Sequence, residues 1–208
     1  MNMRSALAFV LLGLTSLLAA PPARADSAGI DALLRAQKTA DQQTSYRIRT
    51  TNTDASGTDY IFSVEFVKPD RYHMQSSNRR GGGESIVVGK DTYMRQGAGA
   101  WRKLKMDLNP QISGARLTQE ALASSTVTQI GPSSLNGVPM MVYAMTYAKD
   151  NVKSTGKIWV GTADNLLRLA SSDLELPVTK MGGKSFGGKS HSLTVWEYNL
   201  KLEIKAPM

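Results

Sequence analysis

The sequence predicts a mainly β, α+β protein with ten or eleven antiparallel strands and two or three helices. From residue 44 onward apolar and polar residues mostly alternate, which is the period of strands with one covered face. Turn pairs such as Asn136-Gly137 and Asp164-Asn165 separate these segments, and short connections join antiparallel neighbours. The alternation is absent near residue 30 and between residues 106 and 125, so the helices are predicted there.

Residues 1–25 have the composition of a cleaved secretion signal. A positively charged start precedes the apolar run Ala6–Ala20, and Ala23–Ala25 forms an A-x-A cleavage site. The run is about fifteen residues long, shorter than the roughly twenty that span a membrane, so a retained membrane anchor is the less favoured alternative to cleavage. We therefore expect export to the periplasm and a mature chain that begins at Asp26 and forms one domain over 26–208.

Cysteine is absent from the whole sequence, so the chain lacks the residue that a bacterial lipoprotein acylates. The mature protein is therefore expected to be free of a lipid anchor. Removing Arg4 and Arg24 with the signal lowers the formal net charge from +8 to +6. This basic excess would suit contact with anionic lipid headgroups, and it would equally suit the solvated surface of a basic protein.

The first elements of the mature chain are a helix and a hairpin. Ser27 is a suitable cap for a helix that ends near Gln43, with a short apolar stripe at helical spacing. The period then changes to two, and a turn at Asp54–Gly57 leads into the strand Tyr60–Phe66, whose aromatic and aliphatic residues recur at every second position. Pro69 cannot continue a paired strand, so the chain is predicted to turn there and return antiparallel.

Short strands continue as a meander to residue 104, and two short helices are then predicted, one starting at Asn109-Pro110 and one over Leu117–Ala123. The later strands are predicted at Thr126–Ile130, Val138–Ala148, Gly156–Gly161, Leu166–Asp173 and Ser192–Ile204.

Three patterns point to chemistry and are rejected in context. Residues 183–190 match G-x-x-x-x-G-K-S, but a strand-like run follows where a phosphate-binding loop would open a helix, so a flexible Gly-rich hairpin loop is predicted. The G-x-S-x-G match around Ser185 has no acid between it and His191, the last histidine. Without cysteine, a transition-metal site would need both His73 and His191 together with carboxylates, and surface or structural roles are expected for these two histidines. We expect no catalytic residues, metal or cofactor, and no nucleic-acid binding.

Several segments resemble the LolA/LolB-like family of periplasmic lipoprotein carriers and lipid-binding proteins. Phe66–Met74 and Glu84–Tyr93 are similar to the family's aromatic strand, basic residue, proline and return strand, followed by strand, turn and strand. The ending around Leu202–Ile204 is also similar. Ile158–Gly161 with Asp164–Arg168 is a weaker match that departs from the family pattern at two positions and brings its arginine one residue early.

The resemblance implies an antiparallel half-barrel of about ten or eleven strands, closed by two or three helices around an apolar cavity that takes acyl chains. Aromatic and methionine side chains suit such a cavity because they offer area and repack around different chains. The same strands would also suit a plain two-layer core. The residues expected to line the cavity are Tyr60, Phe62, Val64, Phe66, Met141, Tyr143, Met145 and Trp159.

In the family's lipoprotein carriers an arginine just before this proline points into the cavity and holds the helical lid. Lys68 occupies that position here and shares strand parity with Tyr60–Phe66. Lysine lacks the planar five-donor fork of arginine, so a weaker or different lid latch is expected.

The function implied by the resemblance is that of a soluble periplasmic carrier for the acyl chains of a lipoprotein or lipid. Its partners would be the acylated cargo, inner- and outer-membrane transport components, and transiently a membrane surface. The alternative is a non-catalytic protein-interaction or envelope-stress sensor module with the same fold. A continuous apolar pocket would favour the carrier, and a filled core with an exposed patch would favour the module.

Overall fold

The computed structural model describes residues 27–78, 81–105, 122, 124–149, 151–181 and 184–207. The elements in these residues are a helix, α1 (Ser27–Gln42), and eleven strands. The strands are β1 (Ser45–Thr53), β2 (Asp59–Val67), β3 (Arg71–Asn78), β4 (Gly81–Val88), β5 (Asp91–Gln96), β6 (Arg102–Leu104), β7 (Thr126–Leu135), β8 (Val138–Lys149), β9 (Val152–Gly161), β10 (Leu167–Met181) and β11 (Lys184–Tyr198). The mainly β prediction is confirmed.

All eleven strands belong to one sheet with the order β6-β5-β4-β3-β2-β1-β11-β10-β9-β8-β7. Every neighbouring pair is antiparallel. The sheet therefore consists of two meanders, β1–β6 and β7–β11, that are joined where the first strand pairs with the last. The sheet is open, with β6 at one edge and β7 at the other.

Helix α1 lies on one face of this sheet, over its β7–β10 half. The face that α1 covers is called the inner face below, and the opposite one the outer face. The apolar stripe of α1 consists of Ala32, Leu33 and Ala36, which are buried against the strands. Gly29 brings the helix close to the sheet, because a Cβ there would lie 3.0 Å from Cγ1 of Val127. Small residues thus set a short distance between helix and strands.

Both sheet edges carry features that discourage pairing with another chain. β6 has only three residues, two of them the exposed cations Arg102 and Lys103. At the other edge, β7 contains Gly131 and Pro132 next to a break in its pairing with β8.

The last hairpin differs from its prediction. Residues 184–190, expected to form a Gly-rich loop, belong to β11, which ends at Tyr198 and pairs with β10 from Lys184 to Val195. A bulge interrupts the pairing between Leu176 and Thr179. Gly187 lies opposite it with φ +95°, and a Cβ there would overlap the backbone of Pro177. The glycines therefore serve a bulge inside a long hairpin. A phosphate-binding loop would instead open a helix.

The two helices predicted at Asn109-Pro110 and over Leu117–Ala123 lie outside the described residues, apart from Leu122. Leu122 is helical and fully buried, and it packs with α1 and the β7–β10 strands. The number of helices therefore stays a prediction.

Candidate functional site

The strand register assigns each predicted cavity residue to a face. Residues directly opposite in an antiparallel pair share a face. Seven of the eight lie on the inner face, four on β2 and three on β8: Tyr60, Phe62, Val64, Phe66, Met141, Tyr143 and Met145. Trp159 does not, because it pairs with Val142 and Leu169, whose side chains are on the outer face.

The three β8 residues belong to the part of the inner face that α1 covers. This helix-covered cluster consists of Ala32, Leu33, Ala36, Leu122, Val127, Tyr143, Ile158, Val160 and Leu167. Met141 and Met145 pack against it and are partly buried. Tyr143 is only 7% exposed, and its burial raises the pKa of its hydroxyl. These side chains therefore belong to the packed core that includes α1.

The four β2 residues belong to a second cluster. This aromatic cluster consists of buried Phe66, Tyr72, Met74 and Val87 with partly buried Tyr46, Phe62 and Val64. A row of rings crosses four adjacent strands at one end of it. The ring centroids of Tyr46 lie 4.9 Å from Phe66 and 6.4 Å from Tyr198. Tyr72 continues the row at 4.8 Å from Phe66.

Exposure rises along β2 away from that row. Phe66 is 7% exposed, Val64 and Phe62 are half-buried, and Tyr60 is 39% exposed. Side chains two residues apart lie on the same face, so these four form a continuous apolar strip about 20 Å long. The strip is buried at the Phe66 end and accessible at the Tyr60 end.

A polar seam, which sequence reasoning missed, borders the accessible end of this strip. It consists of Thr50 and Asn52 on β1 and Ser192 and Thr194 on β11, all half-buried on the inner face. The hydroxyls of Thr50 and Thr194 are 3.0 Å apart, and Ser192 donates to the side-chain oxygen of Asn52. The seam is adjacent to the strip, because β1 pairs Thr50 with Phe62 and Asn52 with Tyr60.

In the sequence, only the alternation of residues along β1 indicated this seam. Thr50 and Asn52 share their parity with Tyr46 and Ile48, so they had to lie on the same face.

Lys68, the predicted lid latch, contacts α1. It follows the end of β2, and its Nζ donates to the carbonyl oxygen of Gln42, the last residue of the helix, at 2.9 Å. Its backbone amide donates to the carbonyl of Thr44. A cation at the C-terminal carbonyls of a helix is favourable because those groups carry partial negative charge. Lys68 thus fixes the end of α1 to the turn that follows β2.

The outer face behind the aromatic cluster carries a chain of charges, the ionic ladder, made of Arg47, Glu65, His73, Glu84 and Arg95 on β1 to β5. The two ring nitrogens of His73 lie 3.2 Å from Glu65 and 2.6 Å from Glu84. Burial alone would raise the pKa of each of these carboxyls, but hydrogen bonds lower it, from Arg47 and His73 for Glu65 and from His73 and Arg95 for Glu84.

In the described part of the chain, no group of three or more His, Cys, Asp or Glu side chains is arranged to hold a metal ion. His191 instead pairs with Asp173 at 2.9 Å. Of the helical residues that the structure describes, none belongs to a helix long and apolar enough to cross a membrane.

Comparison with protein-family models and with the curated proteins found no match. Solved structures do match. The lipoprotein LppX of Mycobacterium tuberculosis has a TM-score of 0.59 at 14% identity, covering 87% of this chain and 100% of LppX. LprF from Mycobacterium bovis has a TM-score of 0.60 at 11% identity, covering 88% and 98%. A LolA superfamily protein from Nitrosomonas europaea, NE2245, matches at 12% identity over 84% and 94%, with a TM-score of 0.31.

At these identities the matches show the fold alone. LppX and LprF are the two matches on which that comparison of folds depends. The chain therefore shares the fold of LppX and LprF, and the resemblance inferred from the sequence is confirmed at the level of the fold.

Proposed function

We propose that this protein binds the acyl chains of a lipid or lipoprotein on the inner face of the sheet and carries them in the periplasm without catalysis. The observation that supports this most directly is the graded exposure of the β2 strip, from buried Phe66 to accessible Tyr60, beside a polar seam. The expected secretion signal at residues 1–25 supports the periplasmic part of the proposal, and the fold is shared with LppX, a lipoprotein.

Acyl binding suits the chemistry of this surface. Each methylene group removed from water on an apolar surface contributes about 0.8 kcal/mol, and a strip about 20 Å long offers contact to many of them. In the Thr50–Thr194 pair one hydroxyl donates to the other, and the second would donate a hydrogen bond to an ester or amide oxygen where the acyl chain joins its headgroup. The apolar part and the polar part of such a ligand would therefore each meet matching groups.

The predicted cavity residues would have different roles in this function. Tyr60, Phe62, Val64 and Phe66 line the ligand surface, and Lys68 holds the end of α1. Met141, Tyr143 and Met145 support the helix. Trp159 faces away on the outer side. The partners would be the acylated cargo and the membrane components that supply and receive it.

The first test is native mass spectrometry, with organic extraction, of the mature protein purified from a bacterial periplasm. A stoichiometric phospholipid or acylated peptide is the expected result, and its mass would identify the cargo. A clean apo mass that takes up no lipid on incubation would overturn the proposal and favour a protein-interaction module with the same fold.

Two neighbouring positions of β2 provide a matched test. Val64→Asp introduces a charge on the inner face, and Ser63→Asp introduces the same charge one residue away on the outer face. We expect Val64→Asp to weaken binding of a fluorescent fatty acid at least tenfold, because a carboxylate on an apolar surface must be desolvated. Ser63→Asp should bind as the wild type does. Equal affinities in two folded variants would place the ligand elsewhere.

A further inference from the structure

The hairpin of β5 and β6 concentrates basic charge at one edge of the sheet. Residues 90–105 contain five basic side chains and one acidic side chain, Asp91. The basic ones are Lys90, Arg95, Arg102, Lys103 and Lys105. All of them except Arg95 are exposed.

Two aromatic side chains lie among these cations. The Arg95 guanidinium carbon is 4.7 Å from the centroid of the Trp101 ring, and the Lys103 Nζ is 5.8 Å from that of Tyr93. Both rings are half-buried. Ion pairs hold the two cations in place, Arg95 with Glu84 and Lys103 with Asp91 at 2.8 Å. The edge therefore has amphipathic aromatic rings held beside paired cations, and the exposed Lys90, Arg102 and Lys105 add positive charge around them.

We infer that this hairpin, residues 90–105, is the surface with which the protein docks on an anionic lipid membrane. Clustered lysine and arginine side chains are attracted to anionic headgroups, and tryptophan and tyrosine rings are enriched at the depth of those headgroups. Protein recognition by strand addition is disfavoured here, because a three-residue edge strand carrying Arg102 and Lys103 offers little backbone for another chain.

The position of the hairpin decides which part of the inner face lies near the membrane when the protein docks. β6 and β5 lie beside β4, β3 and β2, so the aromatic cluster is on the docked side of the sheet and the helix-covered cluster on the far side. Neighbouring strands are about 4.8 Å apart, which places the β2 strip roughly 19 Å from the β6 edge. Docking itself does not depend on cargo in the inner face.

The test is co-sedimentation of the mature protein with vesicles of phosphatidylcholine alone and of phosphatidylcholine with phosphatidylglycerol. We expect binding only to the anionic vesicles, and release by salt. Lys90→Glu, Arg102→Glu and Lys105→Glu together should lower the partition coefficient at least roughly a hundredfold, since each basic residue at an anionic surface contributes a factor of about five.

The matched control makes the same change in net charge at three exposed lysines of the other half, Lys153→Glu, Lys157→Glu and Lys189→Glu. It should keep most of the binding. An equal loss in both triple variants would show that net charge alone drives binding and would overturn the assignment of the hairpin. Equal binding to both kinds of vesicle, or none, would overturn the membrane as the partner.

Trp101 provides a second readout that does not change the charge. Its fluorescence should shift to shorter wavelength on anionic vesicles, and Trp101→Phe should abolish that shift. Trp159→Phe, which removes a tryptophan from the other half of the sheet, should retain it. A shift that survives Trp101→Phe would contradict docking through this edge. Far-ultraviolet circular dichroism establishes that each variant folds.

Discussion

The two halves of the inner face have the same alternating sequence pattern but are covered differently. Over β7–β10, α1 packs small residues and Leu33 against the strands, and the result is a closed core. Over β1–β4, the aromatic side chains of neighbouring strands cover one another, and burial fades from Phe66 to Tyr60. Alternation therefore predicts that a face is apolar, whereas the element lying on it decides whether that face is closed or partly exposed.

The outer faces of the two halves differ as well. Behind the aromatic cluster lies the ionic ladder. Behind the helix-covered cluster, an apolar row crosses four strands in register: Val142, Trp159, Leu169 and Val195. One half therefore has apolar residues on both faces, and the other carries charge pairs on its outer face. Low pH should therefore destabilise the half with the ionic ladder, and mutations that leave a cavity under α1 should destabilise the other half.

The largest effect is expected from Leu33→Ala in α1. Leu33 is fully buried in the helix-covered cluster, so its truncation should lower the free energy of unfolding by about 3 kcal/mol in urea titrations. Leu34→Ala, one residue away and half-buried, is the control and should cost about 1 kcal/mol. Equal losses of stability in the two variants would contradict the packing of α1. Loss of acyl binding in a folded Leu33→Ala variant would contradict the separate roles proposed for the two clusters.

A smaller effect is expected from acid on the ionic ladder. Because the folded pKa values of Glu65 and Glu84 are lowered, both carboxylates stabilise the fold above their ordinary pKa of 4.5. That stability is lost as the pH falls through the lowered values. Hydrogen exchange, corrected for intrinsic rates, should show β1–β5 loosening before β7–β10.

Glu84→Gln sharpens this prediction. The variant should be less stable than the wild type at pH 7, and the difference should shrink as the pH falls and Glu84 of the wild type becomes protonated. Glu203→Gln, at an exposed carboxyl in the C-terminal tail, should leave the pH profile unchanged. A constant difference between Glu84→Gln and the wild type would show that Glu84 stabilises through its shape and not its charge.

The smallest effect is expected from Lys68→Ala, which removes the contact between the turn after β2 and the end of α1. A cation at a helix C-terminus contributes about 0.5 kcal/mol, so the free energy of unfolding should fall by that amount and Lys68→Arg should retain it. Urea titration at low and high salt measures both. If the variant loses more free energy of acyl binding than free energy of unfolding, Lys68 acts as a latch between helix and cargo.

Strand parity predicted most of the inner face. Tyr60, Phe62, Val64 and Phe66 share a face because side chains two residues apart always do. Trp159 was expected on the inner face because it belongs to a matching motif, but its position in β9 puts it on the outer face. Its neighbour Ile158 is the residue that belongs to the helix-covered cluster. Local pattern also could not show that α1 would cover β8 and leave β2 accessible, since that depends on the order of strands in the sheet.

The last hairpin was missed for a different reason. Gly-rich residues 183–190 indicate a loop when glycine is counted as a breaker. In the structure, Gly187 and Gly188 have positive φ within a paired strand, where they allow the bulge opposite Pro177. Which role a glycine has depends on its partner strand, and the partner cannot be identified from a local window.

The pairing of β1 with β11 has a consequence for how the protein folds. Arg47 and Glu197, which meet across this pair, are 150 positions apart. Closing so long a loop is entropically costly, and sheets dominated by distant contacts fold slowly. Until β11 arrives, β1 presents an unpaired edge beside the apolar face of the first meander. Under the proposed export to the periplasm, a chain that emerges N-terminus first would therefore need protection from aggregation until its last strand has crossed the membrane.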